Sequence, residues 1–175
     1  MSLFNVYPLY EMAPSHAEMC YVFYIKVEKY LDLYGGHAVI SIGHNHPNYI
    51  ESLTNQLNKI GFYSNYIIND LQMEVANEII QQSNLHQYKL FMTNSGAESN
   101  ENALQVASFY NKREKIIAFK NSFHGRSNAA LSITDNSKIK SELNKKINVV
   151  HIEFNDKDRL DKEISDGDAS SVIFE

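Results

Sequence analysis

Two short loops in the second half of the chain gather residue types that could handle a phosphorylated, planar ligand. The first, Thr93-Asn94-Ser95-Gly96-Ala97-Glu98, reads as the entry to a helix. Ser95 and Glu98 have the spacing of a capping box. Gly96 has no Cβ and lets a ligand come close to the backbone. Free N–H groups and the positive end of the helix dipole at such an entry favour an anion, and a phosphate suits them well. The second loop runs from Lys120 to Arg126 and puts Phe123, His124 and Arg126 close together. A phenyl face can stack on a flat ring, and a guanidinium can clamp a carboxylate in bidentate fashion. Each loop also has a plainer explanation. Capping boxes are common, and the second loop can equally hold a core ring beside a solvated cation. Taken together, the loops describe a phosphate seat, a ring platform and a carboxylate anchor. Those are the needs of a phosphorylated aromatic cofactor and an amino-acid substrate.

The loops matter only if the fold brings them together. From Tyr88 onward, strand and helix patterns alternate. Tyr88–Met92 predicts a strand, and 98–110 a helix with Ala103, Val106, Ala107 and Tyr110 as its buried stripe. Ile116–Phe119 follows as a strand, 126–133 as a short helix and 148–154 as a strand. Residues 158–164 then predict a helix and 171–174 a last strand. This order predicts an α/β layer with a mainly parallel sheet. Ligands of open α/β sheets bind beyond the carboxyl ends of the strands. Both loops fall there, and the last strand delivers Glu175 to the same edge. Earlier in the chain, 21–25 and 29–33 predict a hairpin, and Gly35-Gly36 breaks the pattern. Pro47 opens a helix carrying Ile50, Leu53, Leu57 and Ile60, with Gly61 as its stop. A second amphipathic helix over 69–82 aligns Leu71, Val75 and Ile79. The sequence stops on a strand without a covering helix, and parallel sheets are covered on both faces. The expectation is a truncated domain.

Composition narrows the function further. The net charge of −5 leaves no basic footprint, so nucleic acid is not an expected partner. No apolar run approaches the ~18 residues of a membrane span, and 1–9 lack a secretory signal pattern. Cys20 stands alone, which excludes an intrachain disulfide and fits the cytoplasm; a small, half-buried residue is expected there. His44 and His46 have no third ligand nearby, so no metal site is expected. His151 reads as a satisfied core histidine, and the Asp- and Lys-rich run 155–168 as a solvated helix face. There is no G-x-G-x-x-G and no P-loop to support a nucleotide enzyme.

Four stretches carry a family likeness: YLDLYGGHAV (30–39), GHNHP (43–47), FMTNSGAESNENAL (91–104) and FHGR (123–126). Their order and spacing resemble the class III pyridoxal-phosphate (PLP) aminotransferases of fold type I, above all the acetylornithine and succinylornithine type. The resemblance implies a PLP transferase fold, with 1–60 as an N-terminal segment of hairpin and linking helix. Residues 61–175 would be an incomplete PLP-binding large domain. It also implies site residues. Ser95, Gly96 and Ala97 match the loop that binds the cofactor phosphate. Phe123 matches the residue stacked on the pyridine ring, with His124 beside it, and Glu175 matches a glutamate near the cofactor. Arg126 matches the arginine on the substrate α-carboxylate. Tyr7 and His37 fall where substrate contacts are expected. No catalytic residue is expected within the chain, because no lysine here matches the Schiff-base lysine, which would lie beyond Glu175.

By the same likeness, the activity would be amino transfer from N-acetylornithine or succinylornithine to 2-oxoglutarate in arginine biosynthesis, by a cytoplasmic homodimer with partner contacts near 62–69. Other readings are an ornithine or 4-aminobutyrate aminotransferase, or a non-catalytic remnant that acts in binding and dimerisation. The sequence departs from the family in places. Residues 15–20 lack the usual glycines, Val27 sits at the expected hairpin turn, and Ser99 and Ser127 replace the more usual Ala and Thr.

Overall fold

The computed structural model describes residue 4, residues 6–24 and residues 28–175. Ile25, Lys26 and Val27, and with them the expected hairpin turn, lie outside the described residues. The chain divides into two compact units, Met1–Asp70 and Leu71–Glu175.

The first unit is built on an antiparallel sheet of β1 (Pro14–Glu18), β2 (Tyr21–Tyr24) and β3 (Lys29–Leu31), in the order β1-β2-β3. The β2–β3 pairing is the expected hairpin. The β1 strand was not legible in the sequence, because Pro14–Glu18 carries neither alternation nor β-branched residues. Chain reversal between β1 and β2 falls on Met19, which takes the left-handed conformation (φ 50°) in the stretch that lacks the usual glycines. Met19 N–H and C=O exchange 2.8 Å hydrogen bonds with His44 C=O and N–H. Gly43 lies against this contact: a Cβ there would stand 3.1 Å from Met19 Cα. Cys20 is exposed rather than half-buried, because this reversal carries it to the surface.

A single turn, α1 (Gly35–Ala38), is left-handed, with φ near 60° at all four residues. Glycine adopts this freely, but His37 and Ala38 do so at a cost of roughly 1–2 kcal/mol each. Asp32 compensates. Its Oδ1 accepts from Tyr34 N (2.9 Å) and Gly35 N (2.8 Å), while its Oδ2 meets His44 Nε2 at 2.8 Å. These partners, His44 first, hold the Asp32 carboxyl below the usual carboxylate range. Helix α2 (Pro47–Lys59) starts on Pro47 as expected. It ends at Ile60 in an extended conformation, so Gly61 does not supply a left-handed stop. Helix α3 (Asp70–Ser83) follows.

The second unit holds every buried residue among those described, from Leu104 onward. Its sheet is parallel, with β4 (Lys115–Phe119) between β5 (Val149–Ile152) and β6 (Ala169–Val172). All five β4 residues are buried. Successive side chains point to opposite faces, so Ile116 and Ala118 pack with Leu104, Ala129 and Ile133, while Ile117 and Phe119 pack with Ile152. Besides α3, which enters this unit at Leu71, the helices are α4 (Gly96–Asn111), α5 (Asn128–Ile133) and α6 (Lys157–Ser165).

Three expectations fail here. Residues 88–92 form no strand. Tyr88, Phe91 and Met92 are exposed, and among the described residues no strand lies alongside to satisfy their backbone groups. The stripe of α4 is rotated. Leu104 is its buried residue, whereas Ala103, Val106 and Tyr110 are exposed. The cause is polar: Asn100 and Glu101 turn inward to bond the loop beside them. Lastly, the run 155–168 is not wholly solvated. Glu163 is buried and pairs with the buried Lys115 at 3.0 Å, and Asp168 and Asp166 also meet that lysine. These carboxylates, Asp168 foremost, raise the Lys115 pKa, and Lys115 in turn lowers those of Glu163 and Asp168.

Candidate active site

In the second unit β4 and β6 are parallel neighbours, so their carboxyl ends lie side by side. The loop after β4 carries Phe123 to Arg126, and Glu175 follows β6. The two meet directly, with Phe123 N donating to Glu175 Oε2 at 2.7 Å. Helix α4 leads into β4 and packs against β6, and its N-terminus reaches the same edge.

That N-terminus is capped as expected, with one difference. Ser95 is extended, and its Oγ accepts from Glu98 N at 3.2 Å. The Glu98 carboxylate does not return to Ser95. It accepts instead from Asn94 N (2.9 Å) and Asn94 Nδ2 (3.2 Å), one residue earlier. The amides of Gly96 and Ala97 open the helix, where no helical acceptor precedes them. Apart from its chain neighbours and its own helix backbone, no atom lies within 4 Å of where a Cβ of Gly96 would be, so the backbone there faces open space.

Gly125 brings the two loops into contact. It has φ +132°, a region L side chains rarely adopt. A Cβ there would meet Ala97 Cβ at 2.5 Å, Ala97 Cα at 2.8 Å and Ala130 Cβ at 3.1 Å. The helix entry and the Phe123–Arg126 loop therefore touch with no room for a methyl group between them.

The rest of the loop is held from several sides. His124 is buried; its N–H donates to Thr134 Oγ1 (2.9 Å) and its C=O accepts from Asn100 Nδ2 (2.8 Å). Its Nε2 is buried without a hydrogen-bond partner. Burial pushes the His124 pKa down; Glu175 opposes this and His151 adds to it. Phe123 keeps 49% of its surface exposed, leaving its ring open to a ligand. Arg126 lines a concavity of about 580 Å³ with Asn128, Leu131, Leu143, Lys146 and Ile147. Another concavity, about 750 Å³, lies elsewhere, between the carboxyl end of α4 and the amino end of β4 beside Lys115, and holds none of the expected site residues.

Of the residues expected in a site, Ser95, Gly96, Ala97, Phe123, His124, Arg126 and Glu175 thus gather at one edge of the second unit. Tyr7 and His37 belong to the first unit. Both are exposed, and the His37 ring stands edge-on to Tyr34 at 4.9 Å. His44 has Asp32 as its partner, and His151 bonds Ile133 C=O at 3.0 Å. Asn100, Glu101 and Thr134 were missed. The available signal was the position of Asn100 and Glu101 one turn before Leu104, where polar side chains on a buried face need partners.

The class-III aminotransferase family matches residues 5–174. The chain belongs to this family. It is 31% identical over 172 residues to the acetylornithine aminotransferase of Archaeoglobus fulgidus, covering 98% of this chain and 45% of that protein. Its likeness to the acetylornithine aminotransferase of Lactococcus lactis is 33% over 175 residues, covering 99% and 46%. The chain therefore spans less than half the length of the curated relatives it matches. Among solved structures, the ornithine aminotransferase from Toxoplasma gondii superposes with a TM-score of 0.87 at 21% identity, over 99% of this chain and 42% of that one. The N-acetylornithine aminotransferase from Stenotrophomonas maltophilia gives 0.74 at 25% identity, over 96% and 42%. The transaminase fold and its parallel sheet agree with the expectation from the sequence.

Membership of this family points to pyridoxal 5'-phosphate as the cofactor. The residues present fit such a group, with two opening amides beside open space, a half-exposed phenyl ring and an unpartnered buried imidazole nitrogen next to it. Among the described residues no helix is long and apolar enough to cross a membrane.

Proposed function

We propose that this chain supplies the phosphate, ring and carboxylate contacts of a PLP-dependent aminotransferase that moves an amino group from N-acetylornithine or succinylornithine to 2-oxoglutarate. The observation that carries the reading is the contact of Gly125 with Ala97, which fixes a phosphate-type helix entry against an aromatic and cationic loop. Gly96 and Ala97 N–H donate to the phosphate, and the helix dipole adds to their pull. Ser95 orients that entry. Phe123 offers its face to the ring, and Glu175, just beyond β6, steadies the Phe123 backbone. Burial disfavours the protonated form of His124 beside the ring. Arg126 grips the substrate α-carboxylate in bidentate fashion. Tyr7 and His37 are assigned to the substrate tail. Pyridoxal phosphate, when bound, supplies the electron-withdrawing ring on which an amino group is exchanged for a carbonyl oxygen.

The same reading assigns 1–60 to an N-terminal segment and 61–175 to part of the PLP-binding domain, in a cytoplasmic homodimer. No lysine of the chain matches the family's Schiff-base lysine, so on this reading these residues alone do not transaminate. The acetylornithine-type relatives support the substrate assignment.

The test is the holoenzyme that carries this sequence, assayed with 2-oxoglutarate and, in turn, N-acetylornithine, succinylornithine, ornithine and 4-aminobutyrate. An acylated ornithine should be the best donor; a clear preference for 4-aminobutyrate would refute the reading. Arg126→Ala should weaken the amino-acid substrate by about 1.5–3 kcal/mol, the worth of a charged hydrogen-bonded contact, and leave PLP affinity nearly unchanged. Equal loss of both ligands would remove Arg126 from the carboxylate role.

A further inference from the structure

Two adjacent side chains of α4 grip the Gly125–Arg126 turn from both flanks. Asn100 Nδ2 donates to His124 C=O at 2.8 Å, just before the turn. The Glu101 carboxylate accepts from three donors just after it: Ser127 Oγ (2.8 Å), Ala129 N (2.8 Å) and Ala130 N (3.1 Å). Ser127 caps α5 by position but makes no side-chain cap bond to that helix, so Glu101 takes over the capping of α5 from a different element. Arg126 sits between these two grips, one residue beyond the close contact of Gly125 with Ala97.

We propose that Asn100 and Glu101 are positioning residues that set the reach of Arg126 from the phosphate seat, so that α4 governs substrate-carboxylate affinity while its N-terminus binds the cofactor. This rests on the reading of Arg126 as the carboxylate anchor. The physical argument is one of leverage. The α5 helix has only six residues, and its amino end is anchored by one carboxylate. Releasing that carboxylate frees the backbone next to Arg126, whereas the opening amides of α4 keep their own cap at Ser95. A shift of about 1 Å at a ligand-orienting group is enough to cost up to 100-fold.

The experiment uses the holoenzyme and three readouts: the dissociation constant of glutarate, which has no amino group to react; that of PLP; and hydrogen exchange at the Ala129 and Ala130 amides. Glu101→Ala should weaken glutarate about tenfold, move PLP less than about twofold, raise KM for the amino donor more than it lowers kcat, and speed exchange at both amides. Glu101→Gln keeps a carbonyl oxygen for Ala129 N and an amide donor for the Ser127 hydroxyl, so glutarate should return to within about threefold of the parent. Should Glu101→Ala fail to fold, Glu101→Asp, with its carboxylate withdrawn by one methylene, decides the matter and should weaken glutarate alone. Faster amide exchange with unchanged glutarate affinity would make Glu101 a cap and nothing more, and would overturn the proposal. So would an equal loss of PLP and glutarate. Arg126→Ala separates the parent reading: if that variant binds glutarate as well as the parent enzyme, the carboxylate anchor itself is wrong.

Discussion

Single residues set the spacing of the candidate site, and Gly125 sets it most tightly. A methyl group there would overlap Ala97 and force a backbone conformation that alanine avoids. Gly125→Ala should therefore destabilise the second unit by about 1–3 kcal/mol, as overpacking does, and weaken PLP as well. Thermal melting and a PLP titration check both effects; an unchanged melt would mean that α4 and the loop can move apart. His124 gives a signed pH effect. Burial depresses its folded pKa below the ordinary value of about 6.5. Its contribution to stability is complete above that value and is lost as pH falls through it towards the folded value, because the unfolded chain binds the proton more readily. The melting temperature should drop below pH ~6.5, and His124→Asn should flatten that part of the profile. A variant that keeps the same slope would move the titration to another group.

Short elements here depend on side chains borrowed from their neighbours. The left-handed turn α1 relies on Asp32, which binds two of its amides and His44. Asp32→Asn keeps one carbonyl oxygen but loses the charge, and should loosen the turn and its tie to His44. Faster hydrogen exchange at Tyr34 and Gly35 is the expected result; unchanged exchange would assign the turn to its glycines alone. Legibility in the sequence follows the same division. The helix entry at Ser95, the buried strand β4 and the start of α2 at Pro47 were readable, because local chemistry decides each of them. The inward turn of Asn100 and Glu101 was not, since their partners lie 24 to 29 residues away in the chain. Nor was the burial of Glu163, whose partner Lys115 is 48 residues distant. Residues 88–92 have a strand's composition, but a strand is defined by pairing, which composition does not reveal.

At the scale of the whole molecule, the two units differ in how many of their described residues they bury. The second unit exposes Tyr88, Phe91, Met92, Val106, Phe109 and Tyr110, more apolar side chains than a solitary surface of this size normally shows. These 175 residues alone should self-associate, with a sedimentation coefficient that rises with concentration; a constant monomer value would mean these faces tolerate water. Among the described residues none before Leu104 is buried, and this has a further consequence. To trypsin the chain is two lengths of unequal resistance. Cuts should come first after exposed Lys59 and Lys89, while Lys115, locked among carboxylates within the sheet, should survive until that sheet melts. The digest would leave a stub holding both binding loops after the first unit has been cut away.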